Sequence, residues 1–267
     1  MNTQPLGVFD SGLGGLSVVR ALWEVLPAES IVYFGDTGRF PYGTRSPGVI
    51  RRFARQNVHF LQSQGAKAIV VACNTASAHA LPELRSTLDI PIIGVVEPGV
   101  RAALKHRKSG RLGLIATAGT VASRAYEQAL EAIDPGVAMS SVATPLFVAL
   151  VEEGWTHTEA TRLIAEEYLR VFNNGSFDAL ILGCTHFPLL RPVLREVLGA
   201  GVALVDGAEA TAHATREMLS KRDLLAGGGE PTHRFFVSDA PEKFATIGPL
   251  FLGRTFDGAE QVSIEEY

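Results

Sequence analysis

The only two cysteines of the chain stand in matching surroundings, Val70-Val71-Ala72-Cys73-Asn74-Thr75 and Ile181-Leu182-Gly183-Cys184-Thr185-His186. Each follows a short apolar run with the character of a buried strand. Each precedes small polar residues able to open a helix. A thiol at such a junction meets the free N–H groups and positive end of a helix, which favour the thiolate. Two such thiols, one in each half of the chain, make a matched pair of acid/base groups able to face one substrate from opposite sides. Taken singly, either cysteine reads as a small buried hydrophobe; the shared context is what sets the pair apart.

Other residues have types suited to a site around these thiols. Asp10-Ser11-Gly12-Leu13-Gly14-Gly15 joins a strand to a helix. It is neither GxGxxG nor GK[ST], and by itself it is as readily a tight turn as a binding loop. As a site, its amides, the Ser11 hydroxyl and the helix N-terminus would hold a carboxylate. Asp10 would repel a phosphate there, but it suits an ammonium group or the orienting of a thiol. Asn74-Thr75 and Thr185-His186 are natural helix-opening residues and also potential donors to a substrate. His186, two positions from Cys184, is placed to act as its proton-transfer partner, although a lone histidine is more often a structural hydrogen-bonder. Pro41-Tyr42-Gly43-Thr44 reads as a surface loop, a lid or an anion cradle. Thr117-Ala118-Gly119-Thr120 presents further hydroxyls and amides. Cys73, Cys184 and His186 would supply three zinc ligands, but no C-x₂-C or H-x₃-H pair accompanies them, and no metal is expected. A Cys–His–Asp hydrolase would leave the second cysteine unexplained.

The elements that must carry these residues alternate. Strands are expected at 6–9, 31–34, 68–72 and 92–96, and again at 111–115, 179–182 and 202–205. Between them Val18, Ala21, Leu22, Val25 and Leu26 fall at helical spacing, as do Ile50, Phe53, Ala54, Val58 and Leu61 behind Ser46-Pro47. Thr156 with Glu159 resembles a capping box for a helix carrying Ala160, Leu163, Ile164, Tyr168 and Val171. Leu190, Val193, Leu194, Val197 and Leu198 form another helical face. Such alternation implies α/β units around parallel sheets. The 267 residues, 46% hydrophobic and 19% charged, suffice for two ordinary domains with sizeable cores. A net charge of −4 with no basic run gives no footprint for nucleic acid, and no apolar stretch is long enough to span a membrane. The start, Met1-Asn2-Thr3-Gln4-Pro5, lacks the order of a signal peptide, and two free thiols suit a reducing cytoplasm.

The halves read as diverged copies. Gly7-Val8-Phe9-Asp10-Ser11 matches Gly113-Leu114-Ile115-Ala116-Thr117, Cys73 matches Cys184, and Val95-Val96-Glu97-Pro98 matches Leu204-Val205-Asp206-Gly207, all at nearly constant offset. The expected fold class is α/β, with two pseudo-symmetric open parallel-sheet domains facing a shared cleft at the C-terminal ends of their strands. The tail has a helix around Ala210, Thr211, Ala214 and Met218, a turn at Gly227-Gly228-Gly229 and a strand at 235–237. It has no counterpart in the second half. Returning it to the first domain gives 1–97 plus 208–267 for one domain and 98–207 for the other.

At Asp10-Ser11-Gly12, Pro41-Tyr42-Gly43-Thr44, Ala72-Cys73-Asn74-Thr75 and Gly183-Cys184-Thr185-His186-Phe187-Pro188-Leu189 the chain resembles the aspartate/glutamate racemase family, most of all its glutamate-converting members. The resemblance runs over essentially the whole length, with the motifs in order. It implies interconversion of L- and D-glutamate without pyridoxal phosphate, metal or other cofactor, supplying D-glutamate for bacterial peptidoglycan. It implies Cys73 as the base toward D-glutamate and Cys184 as the base toward L-glutamate, assisted by Asp10 and His186 respectively. Glu152 would be a further acidic residue near the second thiol. Asp10, Ser11, Pro41, Tyr42, Gly43, Asn74, Thr75, Thr117, Thr120, Thr185 and His186 would bind substrate. A homodimer is compatible with the family. Some members are controlled by a cell-wall precursor through an N-terminal extension, which the short stretch before the first strand does not lead one to expect here. A racemase of aspartate or another amino acid, or a binding protein without chemistry, are the alternative readings.

Overall fold

The apolar run at the start of the chain forms β1 (Leu6–Asp10), buried along its whole length. The computed structural model describes residues 3–108, 110–174 and 177–267; Met1 and Asn2, part of the stretch read for a leader, lie outside these. After β1 come α1 (Leu16–Val25), β2 (Ile31–Gly35), α2 (Pro47–Ser63), β3 (Ala68–Val71), α3 (Asn74–Thr87), β4 (Ile92–Gly94) and α4 (Val96–Leu104). The second series is β5 (Arg111–Ala116), α5 (Ala118–Ser123), α6 (Ala125–Ile133), β6 (Ala138–Ala143), α7 (Leu146–Glu152), α8 (Glu159–Leu169), β7 (Ala179–Gly183), α9 (Arg191–Leu198) and β8 (Ala203–Val205). The tail adds α10 (Ala208–Ser220), β9 (His233–Val237), α11 (Pro241–Leu252) and β10 (Glu260–Gln261).

All strand pairs are parallel. The first sheet runs β10-β9-β2-β1-β3-β4 and the second β6-β5-β7-β8. The order β2-β1-β3-β4 is therefore repeated as β6-β5-β7-β8, which is the duplication read from the sequence. β9 and β10 extend the first sheet beyond β2. Central strands β1, β3 and β7 are buried on both faces, and such strands read as continuous apolar runs rather than alternating ones. Leu16, Val18, Val19 and Leu22 of α1 are buried against β1, at about 1.5–3 kcal/mol for each large side chain removed from water. Pairing of Phe9 with Val71 in β1–β3 brings Asp10 beside Cys73 at the strand ends. Pairing of Ile115 with Leu182 in β5–β7 does the same for Thr117 and Cys184.

Three local expectations are corrected. The fourth strand stops at Gly94, and Val96 opens α4, because Val96, Val100 and Ala103 recur at helical spacing and bury against the second sheet. The cap of α8 is Thr158, whose hydroxyl accepts from the Thr161 amide, so Glu159 is the first helical residue and Thr156 caps nothing. The inward face of that helix is Thr161, Ala165 and Leu169, with Ile164 and Tyr168 packed beside it, while Ala160, Leu163 and, beyond its end, Val171 are exposed. One apolar core is continuous between the two sheets, running from Leu13 and Leu16 to Phe147, Phe187 and Phe251.

Candidate active site

Both thiols open into one cleft between the sheets, lined by Ser11, Phe40, Pro41, Tyr42, Gly43, Cys73, Asn74, Thr75, Thr117, Val148, Gly183, Cys184, Thr185 and His186. The cleft is closed to about 20 Å³ of space, room for about one water. A larger groove, about 1210 Å³ between α4 and α10, contains neither thiol.

Cys73 follows β3 and is itself the N-cap of α3: its Sγ accepts from the Ala76 amide at 3.4 Å and donates to Ser11 Oγ at 3.6 Å. Asn74 and Thr75 are thus freed from capping. Asn74 Oδ1 accepts from the buried Tyr126 hydroxyl, and Thr75 Oγ1 lies 2.9 Å from Thr117 Oγ1 and 3.1 Å from Thr120 Oγ1 across the seam. Thr120 does not line the cleft; it fixes Thr117, whose hydroxyl caps α5.

Cys184 is held differently. No α-helix begins at Thr185; a single 3₁₀ turn, Phe187–Leu190, intervenes before α9. Cys184 Sγ lies 4.0 Å from His186 Nδ1, and His186 Nε2 lies 3.2 Å from Glu152 Oε1. With the carboxylate accepting from Nε2–H, the hydrogen-bond network assigns the tautomer whose Nδ1 lone pair faces the thiol. Lys243 Nζ donates to the other Glu152 oxygen at 2.9 Å. Burial pushes the Glu152 carboxyl up, but the hydrogen bonds and charges of His186 and Lys243 together hold it below its ordinary range. Glu152 flanks the cleft without lining it.

Asp10 is wholly buried beneath the cleft and does not line it. The amides of its own loop, from Ser11, Gly12 and Gly15, turn onto its carboxylate, Gly12 N–H at 2.9 Å from Oδ2. This corrects the reading of the loop as a cradle for a ligand carboxylate: its amides serve Asp10. Thr185 Oγ1 donates to Oδ1 at 3.5 Å, so Asp10 touches the Cys184 arm as well. Burial raises the Asp10 pKa, offset in part by the charge of His186.

The expectation that helix ends favour thiolates is also overturned for the closed cleft. Burial, then the Asp10 charge, pushes the Cys73 thiol from 9.0 up to about 12. Burial drives Cys184 upward too, against the His186 amide, with the charges of Asp10 and Cys73 adding to the rise. Two backbone contacts do not outweigh removal of both sulfurs from water.

Tyr42 and Gly43 are buried at the cleft. The Tyr42 hydroxyl donates to Asp36, which also accepts two bonds from Arg39 Nε at 3.0 and 2.8 Å and one from Ser238 Oγ at 2.8 Å. A side chain on Gly43 would run into Thr117, so the Tyr42 loop and the start of α5 meet here at backbone distance. The sequence reading missed Phe40, Val148, Lys243 and Phe251. Phe40 stacks on His186 with centroids 5.6 Å apart and Phe251 meets the same ring edge-on at 5.2 Å. Only the run Phe40-Pro41-Tyr42, bordering a motif already singled out, carried a signal. Among the described residues no group of three His, Cys, Asp or Glu is placed to hold a metal ion. No helix of the described residues is long and apolar enough to cross a membrane.

Comparison with known proteins agrees with this geometry. A sequence profile described as Asp/Glu/Hydantoin racemase matches residues 6–215. A glutamate racemase of Geobacter metallireducens is 47% identical over 266 residues, covering 99% of this chain and 98% of that protein. A glutamate racemase isoform from Bacillus anthracis superposes with a TM-score of 0.94 at 39% identity, covering 98% of each chain. A glutamate racemase from Francisella tularensis, solved in complex with D-glutamate, superposes with a TM-score of 0.93 at 38% identity over the full length of both. A profile match over most of the chain, full-length relatives well above 30% identity and a cleft built around two thiols lead to one assignment: the chain belongs to the Asp/Glu/hydantoin racemase family.

Proposed function

We propose that the protein interconverts L- and D-glutamate by a two-thiol, cofactor-independent mechanism, acting in the cytoplasm and supplying D-glutamate for peptidoglycan. The observation that carries this reading is that Cys73 and Cys184, from equivalent strand ends of two sheets, line one small cleft. The names of the full-length relatives support glutamate as the substrate.

In the direction from L-glutamate, the Cys184 thiolate takes the α-proton and becomes a thiol. The Cys73 thiol protonates the opposite face of the same carbon and becomes a thiolate. The reverse reaction exchanges the roles, so atoms and charge balance in each turnover. The α-carbon is a weak acid, and donors aimed at the α-carboxylate must stabilise the charge that develops; Ser11, Asn74, Thr75, Thr117 and Thr185 bring polar side chains to the cleft, with the Tyr42-Gly43 backbone beside them. Asp10 lies where its charge opposes both thiolates. A substrate ammonium drawn toward Asp10 would cancel that charge and lower the thiol pKa values, so ionisation accompanies binding. The closed cleft does not admit an amino acid, and entry requires the lobes, 1–97 plus 208–267 against 98–207, to part; Asp10 and the Tyr42 loop belong to one and Thr117, Glu152 and His186 to the other. A homodimer is part of the reading and is checked by sedimentation.

The test is solvent deuterium incorporation at Cα of L- and D-glutamate, followed by NMR with EDTA present and no cofactor added. Exchange accompanied by inversion is expected. Exchange with aspartate alone would move the substrate assignment to the sister activity. No exchange with any amino acid would remove the catalytic reading and leave a binding protein.

A further inference from the structure

The His186 ring is fixed from the opposite lobe as much as from its own. Glu152, at the end of α7 in the second lobe, holds Nε2. Phe40, Phe251 and Lys243 come from the first lobe, the last two on α11, which packs on α1. Lys243 and Glu152 stand 91 positions apart, and no local pattern joins them. The Lys243 backbone is anchored by its neighbour Phe244, fully buried with its ring 5.9 Å from Tyr33 and 5.4 Å from Phe256. The ammonium ends at the rim of the cleft, beside a small cavity of about 60 Å³ shared with Gly12, Leu13, Thr37, Phe40 and Glu152.

We propose that Lys243 is a positioning residue of the Cys184 arm: closure of the lobes seats its ammonium on Glu152, and Glu152 so held fixes the His186 ring with Nδ1 toward the thiol. The inference rests on the racemase reading for its kinetic consequence, not for its geometry. When the lobes part, Lys243 moves away with α11 while Glu152 and His186 stay with the second lobe. The histidine is then aligned only while the lobes are closed, and the arm is left looser while substrate enters. Among the described residues the Cys73 arm has no such cross-lobe lysine; its thiol is set by Ser11 and the Ala76 amide, both of the first lobe. Lys243 is half exposed, so as a surface ion pair it adds little to stability and its loss leaves the protein folded.

The test uses Lys243→Met, Lys243→Arg and, as a control for a surface lysine ion pair elsewhere, Lys221→Met. In the ligand-free protein, ¹⁵N imidazole spectra assigned with His186→Asn should show His186 leaving the Nε2–H tautomer in Lys243→Met and keeping it in Lys243→Arg and Lys221→Met. With glutamate, Lys243→Met should lower kcat about fivefold, the scale of one partly exposed ion pair. Its α-deuterium isotope effect should rise for L-glutamate, the enantiomer deprotonated at Cys184, and not for D-glutamate. Lys243→Arg should restore both. An unchanged His186 signal in Lys243→Met overturns the proposal whatever the activity does, and so does an isotope effect that changes equally for both enantiomers. A shifted His186 signal in a protein that exchanges no glutamate proton would uphold the positioning and remove the racemase reading instead.

Discussion

The two thiol arms sit at equivalent ends of sheets that share one strand order, and they are built with different chemistry. Around Cys73 the backbone is regular: strand, cap and helix follow without a break, and the sulfur is the cap. Its polar neighbours are a hydroxyl and a buried carboxylate from the adjacent strand end. Around Cys184 the helix is delayed by a 3₁₀ turn, and the space released is filled by His186, backed by Glu152 and Lys243. Equivalent strand order fixes where the sulfurs sit, while what tunes each sulfur is set by loops free to diverge. A racemase needs the first to be symmetric, because the proton leaves one face and returns to the other. On the two-thiol reading it does not need the second to be, because each thiol would meet a substrate of opposite hand.

The strongest way to break the comparison is to remove one sulfur at a time. Cys73→Ser and Cys184→Ser should each lower racemisation by about 10³-fold or more, as expected when a proton-transfer group is replaced by a far weaker acid. Both should fold, since serine fits either site. With a glutamate bearing a leaving group at Cβ, each variant should still catalyse elimination from the enantiomer facing its intact cysteine, followed by ultraviolet absorbance of the product or by NMR. Equal retention of racemisation in both variants would mean that the sulfurs are structural.

What the sequence carried and what it did not divides along the same line. Cys73, Cys184, Asp10 and Thr117 were legible because each ends a buried parallel strand, and a run such as Ala68–Val71 announces itself by composition. The repeated order of strands was legible because three matched segments recur at nearly constant spacing. Phe40, Lys243 and Phe251 were not, because their partners lie in the other lobe and no periodicity relates residues so far apart in sequence. The ionisation of the thiols was misread for a related reason. The helix end is a local feature, visible in sequence, whereas burial by the closed cleft is a property of two lobes together, and it outweighs the local term. Val96 reads as strand from the sequence because an apolar run of that length fits either element until its packing partner is known.

A smaller but sharper break targets the junction of the arms. A Cβ on Gly14 would collide with Thr185 Oγ1 and lie 2.8 Å from His186 Nδ1, whereas one on Gly12 would meet only the edge of Phe40 at 3.0 Å. Gly14→Ala should therefore displace the Cys184 arm from its seat on the Asp10 loop. About 10²-fold in kcat is expected for a shift of order 1 Å at a catalytic group. Gly12→Ala keeps the amide that serves Asp10 and should lose less than about tenfold, since the Phe40 ring can rotate. Steady-state kinetics of the two variants, with melting curves to separate folding from activity, check the ordering. A Gly12→Ala variant as impaired as Gly14→Ala would place the sensitivity in the loop itself rather than in its contact with Thr185 and His186.

The mildest effect concerns the thiols in the empty enzyme. Cys73 is raised from 9.0 to about 12 in the folded chain by burial and the Asp10 charge, and Cys184 is raised in the same sense. Below pH 9 both the folded and unfolded forms hold the proton, so the thiol leaves stability independent of pH. Between pH 9 and about 12 the unfolded chain has lost the proton and the folded chain keeps it, so stability falls as pH rises, by at most about 1.4 kcal/mol per pH unit for one thiol. Above about 12 the loss levels off. Lysines and tyrosines titrate in the same range, so the measurement is a difference: urea unfolding of the wild type and of Cys73→Ala at pH 8, 9.5 and 10.5. The wild type should lose more stability than the variant over that interval, and the gap should close when a saturating substrate is present, because a bound ammonium lets the thiol ionise in the folded state. Parallel pH profiles for the two proteins would mean that Cys73 ionises as easily in the empty cleft as in water, and the coupling of ionisation to binding would be lost with it.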